Sequence, residues 1–500
     1  MMNHPNQTVI IGGGPAGLTT AYELSKHGRK SVVFEKADRV GGISRTETYK
    51  GYRFDIGGHR FFTKVGEVEQ LWQEVMGDEF IKVPRMSRIY YDNKFFSYPL
   101  EPYNALSNLG LINSTLIMWS YFKAKVKPNP IEDNFEQWVS NRFGDRLYQT
   151  FFKTYTEKVW GIPCTEIRAD WAAQRIKGLS LRKAITNALF GSNDTKTLIK
   201  EFNYPVYGPG QMWERFQQKL DSQGSPVHLN TEVIEVERDR YRVKSVTIRQ
   251  NGETSKVTGE NFVSSMPVSL LLKKLNPAPP EAILNAASKL KYRDFLIVSL
   301  VVDQAELFPD NWIYIHSPEF KVGRIQNFKN WSKAMVPDQS KTCLGMEYFC
   351  NEGDPLWQMS DAELIELASR EVKALKLVDP EVNIEDGTVI RQFKAYPVYD
   401  DEYRQNVNII QEYIQKFENL QTVGRNGMHR YNNSDHSMLT GLLAAKNILG
   451  EEHDLWNVNV ERSYHEDFTN SKGAYSDLKN EVSQAVDSKY TNDNDKVRSY

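Results

Sequence analysis

"TVIIGGGPAGLTTAYELSKHGRKSVVFEK", Thr8–Lys36, decides the fold. The apolar run Thr8–Gly12 reads as a buried strand, Pro15–His27 as a helix and Ser31–Glu35 as a second strand. A strand, a crossover helix and a parallel strand imply a doubly wound α/β sheet. Between the first strand and the helix stand Gly12, Gly14 and Gly17 in GxGxxG spacing. Gly12 permits a tight turn, Gly14 lets the backbone approach a pyrophosphate, and Gly17 lets helix pack closely on strand. The amide N–H groups at the helix N-terminus, with the helix dipole, then seat the anion. Glu35 ends the second strand, where a carboxylate accepts from ribose hydroxyls. The reading is a dinucleotide site.

Outward from this unit the chain runs to 500 residues, more than one hydrophobic core usually serves. A net charge of −2 gives no bulk reason for a nucleic-acid or an anionic-membrane partner. Cys164, Cys343 and Cys350 lack zinc spacing and are too few for a disulfide framework, so a reducing, cytoplasmic compartment is expected. The best membrane candidate, "LGLINSTLIMWSYF" at Leu109–Phe122, is too short to span and reads as a largely buried helix rather than a membrane-surface one.

The coarse pattern divides the chain into a first dinucleotide-binding segment (1–65), a mostly helical insert (66–205), a second dinucleotide-binding segment (206–270), a substrate sheet (271–415), a third dinucleotide-binding segment (416–460) and a polar tail (461–500). "NFVSSMP", Asn261–Pro267, reads as a strand returning to the first sheet. A mobile flap is expected over roughly 185–210, where the composition is loop-like.

"EKADRVGG", Glu35–Gly42, runs on into Ile43–Thr46, and this second glycine pair brings the chain back to the pyrophosphate. It resembles the GGxxR segment of the amine-oxidase-like flavoproteins, which points to FAD rather than NAD. Further segments resemble the UDP-galactopyranose mutases of that superfamily. They are "FDIGGHRFF" (Phe54–Phe62), "YTEKVWGIPCTEI" (Tyr155–Ile167) followed by "DWAAQRIKG" (Asp170–Gly178), "NWIYIHSPEFKVGRIQNF" (Asn311–Phe328), "AYPVYDDEY" (Ala395–Tyr403) and "VGRNGMHRYNNSDHSM" (Val423–Met438).

The resemblance implies a two-dinucleotide-binding-domain FAD fold of the glutathione-reductase type, with an inserted α+β substrate domain. It implies cofactor contacts at Gly12, Gly14, Pro15, Ala16, Gly17, Glu35, Lys36, Gly42, Ser44, Gly58, His59, Val233, Gly424, Arg425, Asn433, Asp435, His436 and Ser437. His59 abuts the flavin in this reading and tunes it. Arg175 and Arg324 hold a substrate pyrophosphate, for which a forked guanidinium is suited. Tyr314, Tyr396 and Tyr431 join them, and Trp160, Trp312 and Phe152 are stacking candidates. Tyr399 stands where the family carries Asn, and Arg60 follows His59 where smaller aliphatic residues are usual.

The activity so implied is a redox-neutral pyranose–furanose isomerisation of a nucleotide sugar through a sugar adduct at N5 of reduced flavin. NAD(P)H or another reductant would keep the flavin reduced. The alternative is an FAD-dependent oxidase or dehydrogenase of the same frame, acting on an amine, porphyrinogen or polyene. A flavin-bound assembly partner without catalysis is a third class.

Overall fold

A computed structural model describes residues 7–98, 100, 102–169 and 200–459. Arg175, most of the expected flap and the tail lie outside the described residues.

Strand Thr8–Ile11 is buried throughout and sits at the centre of a five-stranded parallel sheet. Its neighbours are Ser31–Phe34 on one side and Asn261–Ser264 on the other, with Val227–His228 and Leu420–Thr422 at the edges. The chain therefore leaves this sheet and returns to it, as the sequence implied. Strands buried on both faces favour β-branched and apolar residues at successive positions, which explains the run TVII.

The helix Pro15–Lys26 begins with proline at its first position, where a missing N–H costs nothing. Gly14 caps it with no side-chain hydrogen bond, so the amides of the first turn point outward unclaimed by any capping side chain. Gly12 holds φ +102°, and a Cβ on Gly17 would lie 2.0 Å from the Gly12 carbonyl oxygen.

A seven-stranded sheet forms the second layer. Its order is Ile384–Pro397, Tyr292–Val302, Thr342–Cys350, Arg324–Asn327, Trp312–Ile315, Ser87–Tyr91 and Lys94–Ser97. The last two strands fall in the stretch expected to be mostly helical, as does Phe80–Pro84. The tryptophan-rich helices around them obscure short strands, two of which pair with distant segments, as Ser87 does with Trp312 and Phe80 with Pro205. The expected flap is also corrected in part. Residues Glu201–Pro205 form a strand paired with Phe80–Pro84, and a helix starts at Pro209.

The expectation of a largely buried helix at Leu109–Phe122 does not hold. Ile117 is buried, but Leu111, Ile112, Leu116, Trp119 and Phe122 are exposed. Among the described residues no helix is long and apolar enough to cross a membrane. Cys164, Cys343 and Cys350 are all buried free thiols.

The last helix, Ser434–Ile448, packs on the first with almost no space between backbones. A Cβ on Gly441 would sit 2.2 Å from the Ala16 carbonyl oxygen, and Thr20 Oγ1 donates to the Gly441 carbonyl at 3.0 Å. Gly441→Ala should therefore force the two helices apart and cost about 1–3 kcal/mol. Urea denaturation checks this; a change within error would show that the helices separate freely.

Candidate functional site

Two glycine turns meet at the carboxyl end of the parallel strands, where ligands of such sheets bind. The Gly41 amide donates to the Gly13 carbonyl at 2.9 Å, and a Cβ on Gly42 would stand 3.6 Å from Gly14 Cα. Side chains at these positions would fill the corridor. The Glu35 carboxylate receives the Gly13 amide at 2.6 Å and the Ala37 amide at 2.8 Å. Val233 is buried beside a register shift in its strand, and the Thr231 amide bonds the Glu35 carbonyl. Lys36 is exposed, 3.9 Å from Glu232. The Ser44 hydroxyl donates to Gly41, and the Ser44 carbonyl receives the Trp213 indole N–H, so Ser44 braces the second turn.

From this corridor a crevice of about 830 Å³, solvent at its mouth included, runs toward the second sheet. Gly57, Gly58, His59, Arg324, Tyr396, Arg425, Tyr431, Asn433 and Asp435 line it, all but Gly57 expected from sequence. Ile43, Arg60 and Arg85 complete much of the wall. The helix that starts at Ser434 has Asn433 as its cap with no side-chain cap bond, so a second helix N-terminus faces the crevice. His436 lies 3.6 Å from the Asp435 carboxylate and Ser437 is buried in the first turn, both just behind the lining.

Sheet register builds the far wall. Tyr314 lies directly opposite Arg324, and Arg324 directly opposite Glu347, so one ladder row carries all three on one face. Glu347 is fully buried and receives Arg324 Nε and Nη2, each at 2.6 Å. Gln326 Nε2 donates to the other Glu347 oxygen at 2.7 Å. Burial alone would lower the Arg324 pKa, but Glu347 outweighs it and holds the guanidinium charged, well above its ordinary value. The fork is thus fixed in direction before any ligand arrives.

Tyr396 and Tyr431 stack at 5.6 Å with 12° between their planes. Arg425 lies over both rings and donates to the Asn432 carbonyl at 2.8 Å. Burial first, then Tyr431, keeps the Tyr396 phenol protonated above its ordinary value. Tyr399, where the mutase family carries Asn, has a definite place: its hydroxyl accepts the Tyr431 amide at 2.7 Å. His59 Nε2 is 3.0 Å from the Ile56 carbonyl. Burial, then Arg425, pushes its pKa down to about 4.

Trp160 packs behind Tyr396 and Tyr431 rather than in the lining. Trp312 is buried between the guanidinium groups of Arg60 and Arg85 and the ring of Trp331. Tyr314 stands among Tyr98 and Tyr155, and Phe152 stacks on Phe143 away from the crevice.

Sequence reasoning missed Glu347, Gln326 and Arg85. Glu347 had a signal: it is the one charged residue in the strand TCLGMEYFC. A lone carboxylate in such a strand requires a buried partner. Arg85 had none.

The chain matches the family model for flavin-containing amine oxidoreductases over residues 15–449. The chain belongs to that family. FAD is its cofactor, and the uncapped helix N-terminus and the side-chain-free corridor fit the pyrophosphate of that group.

Among solved structures, reduced UDP-galactopyranose mutase superposes with a TM-score of 0.79 at 22% identity, over 89% of this chain and 94% of that one. A putative protoporphyrinogen oxidase from Exiguobacterium sp. 255-15 gives 0.66 at 15% identity, over 89% and 99%. Both likenesses concern the fold. Coproporphyrinogen III oxidase of Mycobacterium leprae is 30% identical over 151 residues, 27% of this chain and 33% of that protein. The chain spans half or less of the length of the curated relatives it matches first.

Glu347→Ala should cost about 3–5 kcal/mol, because Arg324 would stay buried without its counter-charge. Denaturant titration reads this directly. A second expectation concerns pH. The His59 pKa lies below its ordinary value in the folded state, so unfolded chain binds the proton first as pH falls. Its contribution to stability is present above about 6.5 and is lost as pH falls to about 4. Asp55, buried and raised to about 7, acts in the opposite sense, so His59→Gln must be compared with the unaltered protein. The variant should lose less stability between pH 7 and pH 5; equal losses would remove His59 from the account.

Proposed function

We propose that this protein is a flavin-dependent nucleotide-sugar mutase, and that the crevice holds a sugar between the flavin and a diphosphate clamp. The ladder row Tyr314–Arg324–Glu347, facing the stacked Tyr396–Tyr431 pair, is the observation that carries this reading. Among the described residues Arg60, Arg85, Arg324 and Arg425 line the crevice against one carboxylate, Asp435, which suits a strongly anionic ligand. The 0.79 superposition on reduced UDP-galactopyranose mutase supports it further.

When bound, reduced FAD supplies a nucleophilic nitrogen to the anomeric carbon. The protein's own work is to hold what leaves. Arg324, aimed by Glu347, takes two phosphate oxygens at once. Tyr396, kept as a phenol by burial, and Tyr431 donate to the remaining ones. The clamp retains the diphosphate until it returns to the same carbon, and a preoriented charge needs no reorganisation at that moment. His59, neutral above about pH 4, adds no positive charge next to the flavin. Arg175, outside the described residues, is assigned to the same clamp by its motif.

The second reading is an oxidase acting on a carboxylated porphyrinogen. The four-arginine lining also suits that substrate, and the coproporphyrinogen oxidase match favours it.

Dithionite-reduced protein incubated with UDP-galactofuranose should form UDP-galactopyranose with no net consumption of electrons. Arg324→Ala should lower kcat/KM by about 100-fold. Turnover that occurs only with net reduction of O2 or a quinone would establish the oxidase instead.

A further inference from the structure

Seven of the eleven large apolar side chains exposed among the described residues fall between Leu111 and Ile131. Six of them lie on one helix. The helix Pro102–Val126 breaks at Gly110, where φ is 79° and ψ 164°, and a second stretch continues from there. At 100° per residue, Leu111, Phe122, Val126, Trp119, Ile112 and Leu116 fall within an arc of about 140°. The arc runs for about 22 Å along the helix. Leu111 is 88% exposed and Trp119 71%. Ile117, on the opposite face, is buried. A helix apolar on both faces needs a cover on both.

The charge on the helix itself is of one sign, and the exposed carboxylates Glu132 and Asp133 come only after it. From Pro102 to Ile131 there is no Asp or Glu, while Lys123 lies within the arc and Lys125 and Lys127 follow it. Beside the helix break is a polar pocket walled by Lys94, Arg146, Asn108, Asn113 and Thr150, with Asp92 as its one carboxylate. Arg146 Nη2 donates to Asn113 at 2.9 Å and Lys94 Nζ to the Asn108 carbonyl at 2.7 Å. Asn113 and the buried Ile117, which both line that pocket, project at about 200° and about 240° from Leu111, so the pocket sits on the packed side of the helix, away from the apolar arc.

We infer that this face docks the protein on an anionic lipid bilayer, with Trp119 and Phe122 entering the headgroup–acyl boundary and Lys123 and Lys127 reaching the headgroup phosphates. An interfacial helix combines an apolar stripe, an aromatic residue at the boundary and flanking lysines, and this one has all three. Each exposed lysine near an anionic surface adds attraction that salt screens. The face is separate from the crevice, and the inference stands whichever reaction the crevice performs.

Flavin-loaded full-length protein should sediment with vesicles of phosphatidylcholine and phosphatidylglycerol, and far less with phosphatidylcholine alone. Raised salt should release it. Trp119→Ser combined with Phe122→Ser should lower the vesicle-bound to free ratio by at least about 10-fold. Lys123→Glu with Lys127→Glu should abolish the preference for the anionic vesicles. These side chains are exposed, so unchanged melting temperature and flavin content will show that the fold is intact. Absence of binding to either vesicle, or equal binding by the Trp119–Phe122 variant, overturns the proposal. A variant that converts an oligomer to a monomer without any lipid binding assigns the face to a second copy instead.

Discussion

Everything near the flavin site rests on two helices that touch backbone to backbone. The Gly441 Cα lies against the Ala16 carbonyl, and Thr20 bonds across to the Gly441 carbonyl, 421 positions away in sequence. Only the absence of a side chain permits this approach. It fixes the N-terminus of the last helix at the open end of the parallel sheet. The loop leading into that helix then delivers Arg425, Tyr431, Asn433 and Asp435 to the crevice. The Gly424 amide bonds Thr440 Oγ1 at 2.9 Å, tying the loop's start to the same helix. The N-terminus of the first helix and the far end of the crevice are thus set by one contact.

The second sheet adds the directional charge. A guanidinium in a partly dry crevice is costly unless its counter-ion is equally well held. Glu347 is held by Gln326 and by Arg324 itself on adjacent strands, so antiparallel register does the aiming. Arg425 is placed differently, over two aromatic faces and against backbone carbonyls. One arginine is aimed by a charge and the other by rings and dipoles, and each points along a different wall.

Much of this was legible in sequence. The parallel unit Thr8–Phe34, the returning strand Asn261–Ser264 and the last helix follow from apolar runs and glycine spacing, which are local properties. Most of the expected crevice residues also fall together, because their motifs sit at strand and helix ends. Less legible were residues whose role depends on a distant strand. Arg85 joins the wall only because Ser87–Tyr91 pairs with Trp312–Ile315. Trp160 and Trp312 are stacking candidates by residue type alone, and three-dimensional packing sets them one layer back.

By itself the sequence determined the dinucleotide unit and which residues punctuate its turns. These follow from short-range geometry, in which a glycine or a proline has one structural use. Tertiary structure alone decided which side chains share a ladder row, that Glu347 locks Arg324, and that the apolar stretch after Gly110 faces outward. Hydrophobicity states that a helix needs cover; which face receives it depends on what the rest of the chain packs against it. For the arc from Leu111 to Val126, none of the described residues provides that cover.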